Sequence, residues 1–293
     1  MTWIYQVAEF LWTGKLITEH PIMRLDIVTL FPEIFTPFLA SGITRRAFES
    51  GQIDVRLTNP RDFASGNYRR VDDRPFGGGP GMVMMAEPLT DCLKTIQSQR
   101  ADSVPVVLFS PVGRILDHSM VDRWAQSKGG IFICGRYEGI DQRFIDVHVN
   151  EQISLGDFVL SGGEIAAVAF LDAVARLQPG VLNKTESHQQ DSFNPAQDGL
   201  LDCPHYTRPE VWFGRLTPDV LLSGHHDQIE RWRRQQRLAT TAQERPDLIE
   251  KARQSGRLND GDEAFLSSLV RKGAIQNDAK LFLANPASKG AAT

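Results

Sequence analysis

Apolar positions fall into short runs separated by polar, turn-rich segments, and their period changes along the chain. Residues 25–31, 104–109 and 130–134 are near-continuous apolar runs, the pattern of strands covered on both faces. Residues 53–57 alternate and predict a weaker strand. Helical patterns lie between several of these runs, which predicts an α/β domain with a mainly parallel sheet. Residues 164–177 form the clearest helix, apolar nearly all round and so expected to be buried, with Pro179 and Gly180 as its stop. Residues 183–198 are polar and aperiodic, which predicts a linker between domains. Beyond it the period is helical: 227–238 with Arg231, Arg233, Arg234 and Arg237, then 246–253, then 262–272. Met23 opens MRLDIVTLFPEIF, the start of a buried strand, so residues 1–22 are expected to be an extension outside the fold. The small, polar end of the chain, over 276–293, is expected to be disordered.

Composition narrows the class. With 293 residues, 41% hydrophobic and 23% charged, the chain can bury a sizeable core. No apolar run approaches the roughly 18 residues of a membrane span, and no basic residue precedes the apolar stretch near residue 10, against a secretory signal. The net charge of −4 excludes a globally basic nucleic-acid binder, so an RNA partner requires a local basic face. Cys92, Cys134 and Cys203 lie far apart, with no CxxC pair, which points to a reducing cytoplasm and to neither zinc nor disulfides.

Four clusters could carry chemistry. The segment Gly77 to Met82, GGGPGM, lacks the GxGxxG spacing and the Lys-Ser/Thr of a P-loop, so alone it predicts a tight turn. Asp73 and Arg74 before it face either solvent or a polar ligand. Second come three loops that follow apolar runs: SPVG from Ser110, GRYEGID from Gly135, and SLGDFVLSGGE from Ser154. Ligands of open α/β sheets sit beyond the carboxyl ends of strands, and glycines there let main-chain groups approach a ligand. Each loop alone is a turn; together they predict one composite pocket suited to adenine and ribose. Third are Asp191 in the linker and Arg176 closing the long helix, by residue type a solvated carboxylate and a cation at a helix end. Fourth is DCPHYTRP, with His205, Tyr206 and Arg208, followed by His225 and the arginines 231–237. This is either an RNA-facing surface, with cations for phosphate and rings for bases, or an ordinary charged helix face. Its adjacent histidines lack metal-ligand spacing.

VDDRPFGGGPGMVM, CGRYEGIDQR, SLGDFVLSGGE and DGLLDCPHYTRPEV resemble, in order and spacing, the signatures of the bacterial tRNA (guanine-37, N1)-methyltransferases. The resemblance runs from Met23 to about residue 255, most of the chain. It implies a trefoil-knotted, parallel-sheet amino-terminal domain over 23–182, a flexible linker over 183–198 and a smaller all-helical, tRNA-binding domain over 199–275. It also implies a homodimer acting on the tRNA anticodon stem-loop, with no membrane association. The three glycine loops become the knot loops that hold S-adenosylmethionine, through Ser110, Pro111, Gly135, Tyr137, Leu155, Gly156, Asp157, Phe158, Val159, Leu160, Gly162 and Gly163. Asp191 matches the family's general base and Arg176 its essential arginine. His205, Tyr206, Arg208, His225, Arg231 and Arg234 become the candidate RNA contacts. The family is reported to use magnesium in catalysis; Glu138 is a conceivable contributor, and no metal-ligand constellation accompanies it.

The chain departs from the family at its amino-terminal extension, at Val112 where many members carry glutamine, at the extra residues 194–197, and beyond about residue 255. Guanine N1 holds a proton at neutral pH, so its methylation requires a base, which suits Asp191. Charge pushed onto O6 requires a cation, which suits Arg176. A ribose 2′-O-methyltransferase and a non-catalytic RNA-binding protein are the alternative readings. The Asp191 segment and CPHYTRP favour the base methylase, and the intact cofactor loops favour an enzyme.

Overall fold

A computed structural model describes residues 22–182 and 185–271. The expected extension up to residue 21, the expected tail over 276–293 and the last residue of the helix expected over 262–272 lie outside the described residues. The chain divides into two compact units, Met1–Asn183 and Lys184–Thr293.

The first unit carries strands β1 (Met23–Val28), β2 (Ile53–Thr58), β3 (Asp72–Asp73), β4 (Val83–Met84), β5 (Val106–Ile115), β6 (Gly129–Cys134) and β7 (Glu151–Ser154). Its helices are α1 (Phe35–Leu39), α2 (Arg45–Glu49), α3 (Ala86–Ser98), α4 (His118–Ala125), α5 (Gln142–His148) and α6 (Glu164–Ala175). Five strands pair in the order β2-β1-β6-β5-β7, every pair parallel. The period-two alternation of β6 sends Phe132 and Cys134 to one face and Ile131 and Ile133 to the other. On the first face α4 and α6 supply Met120, Trp124, Phe170 and Val174. Phe170 is the hub, with ring centroids 4.8 Å from Phe132, 5.7 Å from Trp124 and 6.0 Å from Phe109. On the second face α3 and α5 supply Leu89, Leu93, Ile96 and Phe144. Two covered faces explain why β1, β5 and β6 are legible as unbroken apolar runs.

Three differences from the sequence pattern matter for the site. First, β5 does not end at Phe109. Both Phe109 and Arg114 pair with Ile153, so residues 110–113 loop out of one continuous strand. Second, β7 has only one strongly apolar residue, Ile153, because its start is half-exposed at the sheet edge, and its pattern gave no strand. Third, the helix expected to be wholly buried ends at Ala175, and a stripe containing Ile165, 54% exposed, is uncovered in the single chain.

The second unit packs α8 (His226–Glu244), α9 (Pro246–Gln254) and α10 (Asp260–Arg271) around Leu200, Leu238, Ala242, Ile249, Ala252 and Leu266. Helix α8 runs past the expected 227–238 because Thr241 and Ala242 extend its buried face. The unit is not all-helical. A hairpin of β8 (Val211–Trp212) and β9 (Arg215–Leu216) precedes α7 (Asp219–Leu222), its turn made by Phe213 and Gly214, both at positive φ. Residues 185–198 contain two 3-10 turns, Thr185–Gln190 and Pro195–Gln197. Buried Asn194 pins them: its amide nitrogen donates to the His188 carbonyl at 2.9 Å and its side-chain oxygen accepts from Ala196 N–H at 2.8 Å. Side-chain hydrogen bonds to the main chain hold such segments without any apolar period.

Candidate active site

β6, β5 and β7 are sheet neighbours, all parallel, so the segments that follow Cys134, Phe109 and Ser154 emerge at one edge. The three glycine loops are thereby brought together at the carboxyl ends of adjacent strands. Two of them are joined by main chain: Gly163 N–H donates to the Gly135 carbonyl at 2.9 Å, and Arg136 and Gly162 form an antiparallel bridge. A Cβ on Gly163 would lie 2.7 Å from Cys134 Cα, so only glycine permits this approach. The third loop is equally tight, since a Cβ on Gly113 would lie 2.5 Å from the main chain of Gln152 and Ile153. Ser110, Pro111 and Val112 project from it, with Val112 strongly exposed.

The GGGPGM segment is more than an isolated turn. β3 and β4 pair antiparallel on either side of it. Glu138 N–H donates to Met82 O at 3.0 Å, Met84 N–H to Gly139 O at 2.9 Å, and Asp141 N–H to Met84 O at 3.0 Å. A side chain on Gly81 would meet that of Glu138, which is exposed and would have to move aside. Glu138 stands without companions: no group of three or more His, Cys, Asp or Glu is placed to hold a metal ion among the described residues.

Tyr137 adopts a left-handed backbone, φ 61°, uncommon for a bulky residue and a mark of a position held by its surroundings. Asp72 and Arg61 act electrostatically on its hydroxyl, a proximity no sequence motif announces. Burial and the Asp72 carboxylate push the hydroxyl above the usual tyrosine range, with Arg61 pulling the other way. Cys134 faces the core, where burial and the Glu164 charge hold its thiol well above the ordinary value, so it remains neutral and unreactive. In the 155–163 loop Leu155 and Gly156 are partly covered, whereas Asp157, Phe158, Val159 and Leu160 are exposed. Ser154 anchors the entry to this loop: its hydroxyl accepts from Gly156 N–H and donates to Gly156 O, both at 3.1 Å.

Arg176 caps the carboxyl end of α6, its N–H donating to Asp172 O. The glycine loops meet the opposite end of that helix, at Gly163 and Glu164. Twelve helical residues at a rise of about 1.5 Å each place Arg176 roughly 18 Å along the axis from the loops of its own unit.

In the second unit Asp191 sits half-buried between the two 3-10 turns, its N–H donating to His188 O and its carbonyl accepting from Asn194 N–H, both at 3.3 Å. The segment after it is tied to DCPHYTRP: Phe193 N–H donates to Leu200 O at 2.9 Å and Asp202 N–H to Ser192 Oγ at 2.9 Å. Asp202 then holds exposed His205, with Oδ2 2.9 Å from its Nε2. Burial opposes ionisation of Asp202, but His205 and the Cys203 N–H together bring its carboxyl below the usual range. Tyr206 leans on Trp232, ring centroids 6.2 Å apart. Arg208, His225 and Arg231 are exposed. Arg234 is not part of that open surface: its guanidinium lies 2.6 Å from Asp198 and 2.9 Å from Asp262, an internal clamp. The pairing spans 28 residues to Asp262, out of reach of any helix-face reading.

A parallel α/β unit with main-chain-lined loops on neighbouring strand ends is the build of an enzyme that holds a nucleotide-like ligand. The family model described as tRNA (Guanine-1)-methyltransferase TrmD matches residues 23–251, and the chain belongs to that family. It is 76% identical over 248 residues to the tRNA (guanine-N(1)-)-methyltransferase of Albidiferax ferrireducens, covering 85% of this chain and all of the relative. The Paracidovorax citrulli and Polaromonas enzymes of the same name are 68% and 66% identical over 251 residues, covering 84% of this chain and 98% and 97% of theirs. No helix among the described residues is long and apolar enough to cross a membrane.

Proposed function

We propose that the protein methylates N1 of guanosine 37, next to the anticodon of tRNA, with S-adenosylmethionine as methyl donor. The observation that carries the reading is the convergence of three glycine loops at the carboxyl ends of β6, β5 and β7 in a chain of this family. The loops suit the cofactor because their floor is main chain, which offers the hydrogen bonds that adenine and ribose require. Gly135, Tyr137, residues 155–160, Gly162, Gly163, Ser110 and Pro111 would hold it. The bound cofactor supplies a sulfonium methyl.

Asp191 takes the N1 proton, and Arg176 donates hydrogen bonds to O6 as negative charge develops there. An Arg176 far from its own loops, an uncovered Ile165 stripe on α6 and a carboxylate in a separate unit all support a homodimer with sites shared between chains. Membership of that family supports a chain threaded into a trefoil knot over 23–182. Residues 183–198 act as the linker, and 199–275 engage the anticodon stem-loop through His205, Tyr206, Arg208, His225 and Arg231. The protein works in the cytoplasm. Glu138 would be the contributor to a magnesium site; no group of three or more His, Cys, Asp or Glu stands with it among the described residues.

The test is incubation with labelled cofactor and tRNA transcripts, followed by mapping of the modified base. N1-methylguanosine at position 37 is the expected product; a ribose methyl or no product refutes the reading.

A further inference from the structure

Glu164 takes no part in the chemistry above, yet it is completely buried at the first position of α6. One carboxylate oxygen accepts from Thr29 Oγ1 at 2.9 Å; the other lies 2.8 Å from Arg136 Nε, an ion pair whose N–H is not aligned for a hydrogen bond. Thr29 in turn accepts from Phe31 N–H at 3.0 Å, and the Arg136 guanidinium sits 4.4 Å above the Phe31 ring. The same guanidinium donates to the Ser161 carbonyl at 3.2 Å, and its stem fills the space that a side chain on Gly162 would need. Arg136 belongs to the loop after β6, Ser161 and Gly162 to the loop after β7, and Thr29 and Phe31 to the segment that follows β1.

We propose that the Arg136–Glu164 pair is a latch that sets the relative position of the 135–141 and 155–163 loops, and through them cofactor affinity, without touching the cofactor. The inference rests on the reading of those loops as the S-adenosylmethionine site. Beyond the latch, the Gly163–Gly135 hydrogen bond and the Arg136–Gly162 bridge tie these loops together. The sheet aligns the strand ends but not the glycines beyond them. A buried ion pair is a poor source of net stability compared with apolar packing, but it fixes geometry, since a carboxylate so enclosed tolerates little displacement of its partner. The amino-terminal end of α6 adds a favourable dipole for the Glu164 charge, so the latch closes onto the helix that carries the second loop. Arg136 and Glu164 are therefore positioning residues.

The experiment compares the wild-type chain with Glu164→Gln, which keeps volume and an acceptor for Thr29, and with Arg136→Lys, which keeps charge but loses the planar fork. S-adenosylmethionine binding is measured by calorimetry, KM and kcat with tRNA, and Tm by calorimetry. Loss of one charge-assisted contact predicts a rise of about 10-fold in Kd and KM for the cofactor, with kcat at saturation lowered less than about 3-fold. Arg136→Lys should bind more tightly than Arg136→Met. If Glu164→Gln does not fold, the Arg136→Lys and Arg136→Met pair carries the comparison alone. A lower Tm with unchanged KM would make the pair merely structural and overturn the latch, as would a kcat loss with unchanged KM. A wild-type chain that binds no cofactor would refute the site reading itself, and the latch with it.

Discussion

Replacing Gly163 by alanine adds one methyl group at the tightest passage of the loop cluster. The new Cβ would lie 2.7 Å from Cys134 Cα, 3.2 Å from Gly135 N and 3.3 Å from Cys134 C. Carbon atoms in contact settle near 3.5–4.0 Å, so the main chains must part by roughly 1 Å. All three obstructing atoms are backbone of β6 and its loop, and none can rotate away. Separation also strains the Gly163–Gly135 hydrogen bond, 2.9 Å long. Overpacking of this kind costs about 1–3 kcal/mol, and a weakened hydrogen bond adds about 1 kcal/mol. If half to all of a ~3 kcal/mol penalty falls on the closed loop geometry, cofactor affinity drops about 10- to 100-fold. Titration calorimetry with S-adenosylmethionine reads this directly. Gly180→Ala is the control: it has φ +74° but nothing within 4 Å and lies past the other end of α6, so it costs stability and spares affinity. Wild-type affinity in Gly163→Ala, or equal losses in the two variants, would refute the reasoning.

Asp191→Ala should retain cofactor binding and lose about 10²–10⁴-fold in turnover, the usual share of a general base; single-turnover methylation of tRNA checks it, and a near-normal rate removes Asp191 from that role. Mixed dimers of Asp191→Ala and Gly163→Leu chains, purified through two tags, should regain one working site if Asp191 serves the partner's cofactor; verified mixed dimers that stay inactive count against sharing. Asp262 offers a pH prediction. Burial opposes its ionisation, but Arg234 and the Asn259 N–H together hold its carboxyl below the ordinary 3.8. A depressed folded pKa means that its stabilisation is fully present above pH ~4 and fades as pH falls through the folded value. Hydrogen-exchange protection factors at Leu238 and Ala242, corrected for the intrinsic exchange rate at each pH, should therefore fall in acid for the wild type, and Asp262→Asn should lose most of that dependence.

How much the sequence reveals depends on how local the cause is. β6 and α6 are legible because burial writes itself into consecutive positions: GGIFIC has a core contact on each face, and AAVAFLDAVA carries the stripe that meets the sheet. β7 is not legible, since at an edge only Ile153 must be apolar. The glycine loops can be listed from sequence, but their meeting depends on the strand order, in which β6 precedes β5 across the sheet. The support of Tyr137 by Arg61 and Asp72 joins residues more than 60 positions apart, and no period encodes it. Arg234 illustrates the converse limit. A cation on a helix near other cations reads as an RNA contact, and only tertiary folding brings Asp198 and Asp262 to claim it.

The main-chain floor of the loop cluster has a pharmacological consequence. Where a pocket is built from side chains, single substitutions can reshape it at modest cost to the protein. Here a competing molecule that bonds to the amides and carbonyls around Gly135 and Gly163 meets atoms common to every amino acid. At Gly163 the chain must add bulk where 2.7 Å is available, and so damage the proposed cofactor site. Escape would have to come from the few side chains that border the floor, among them exposed Val112, Phe158 and Val159. A compound that ignores those three and reads only the backbone would leave drug resistance its narrowest route.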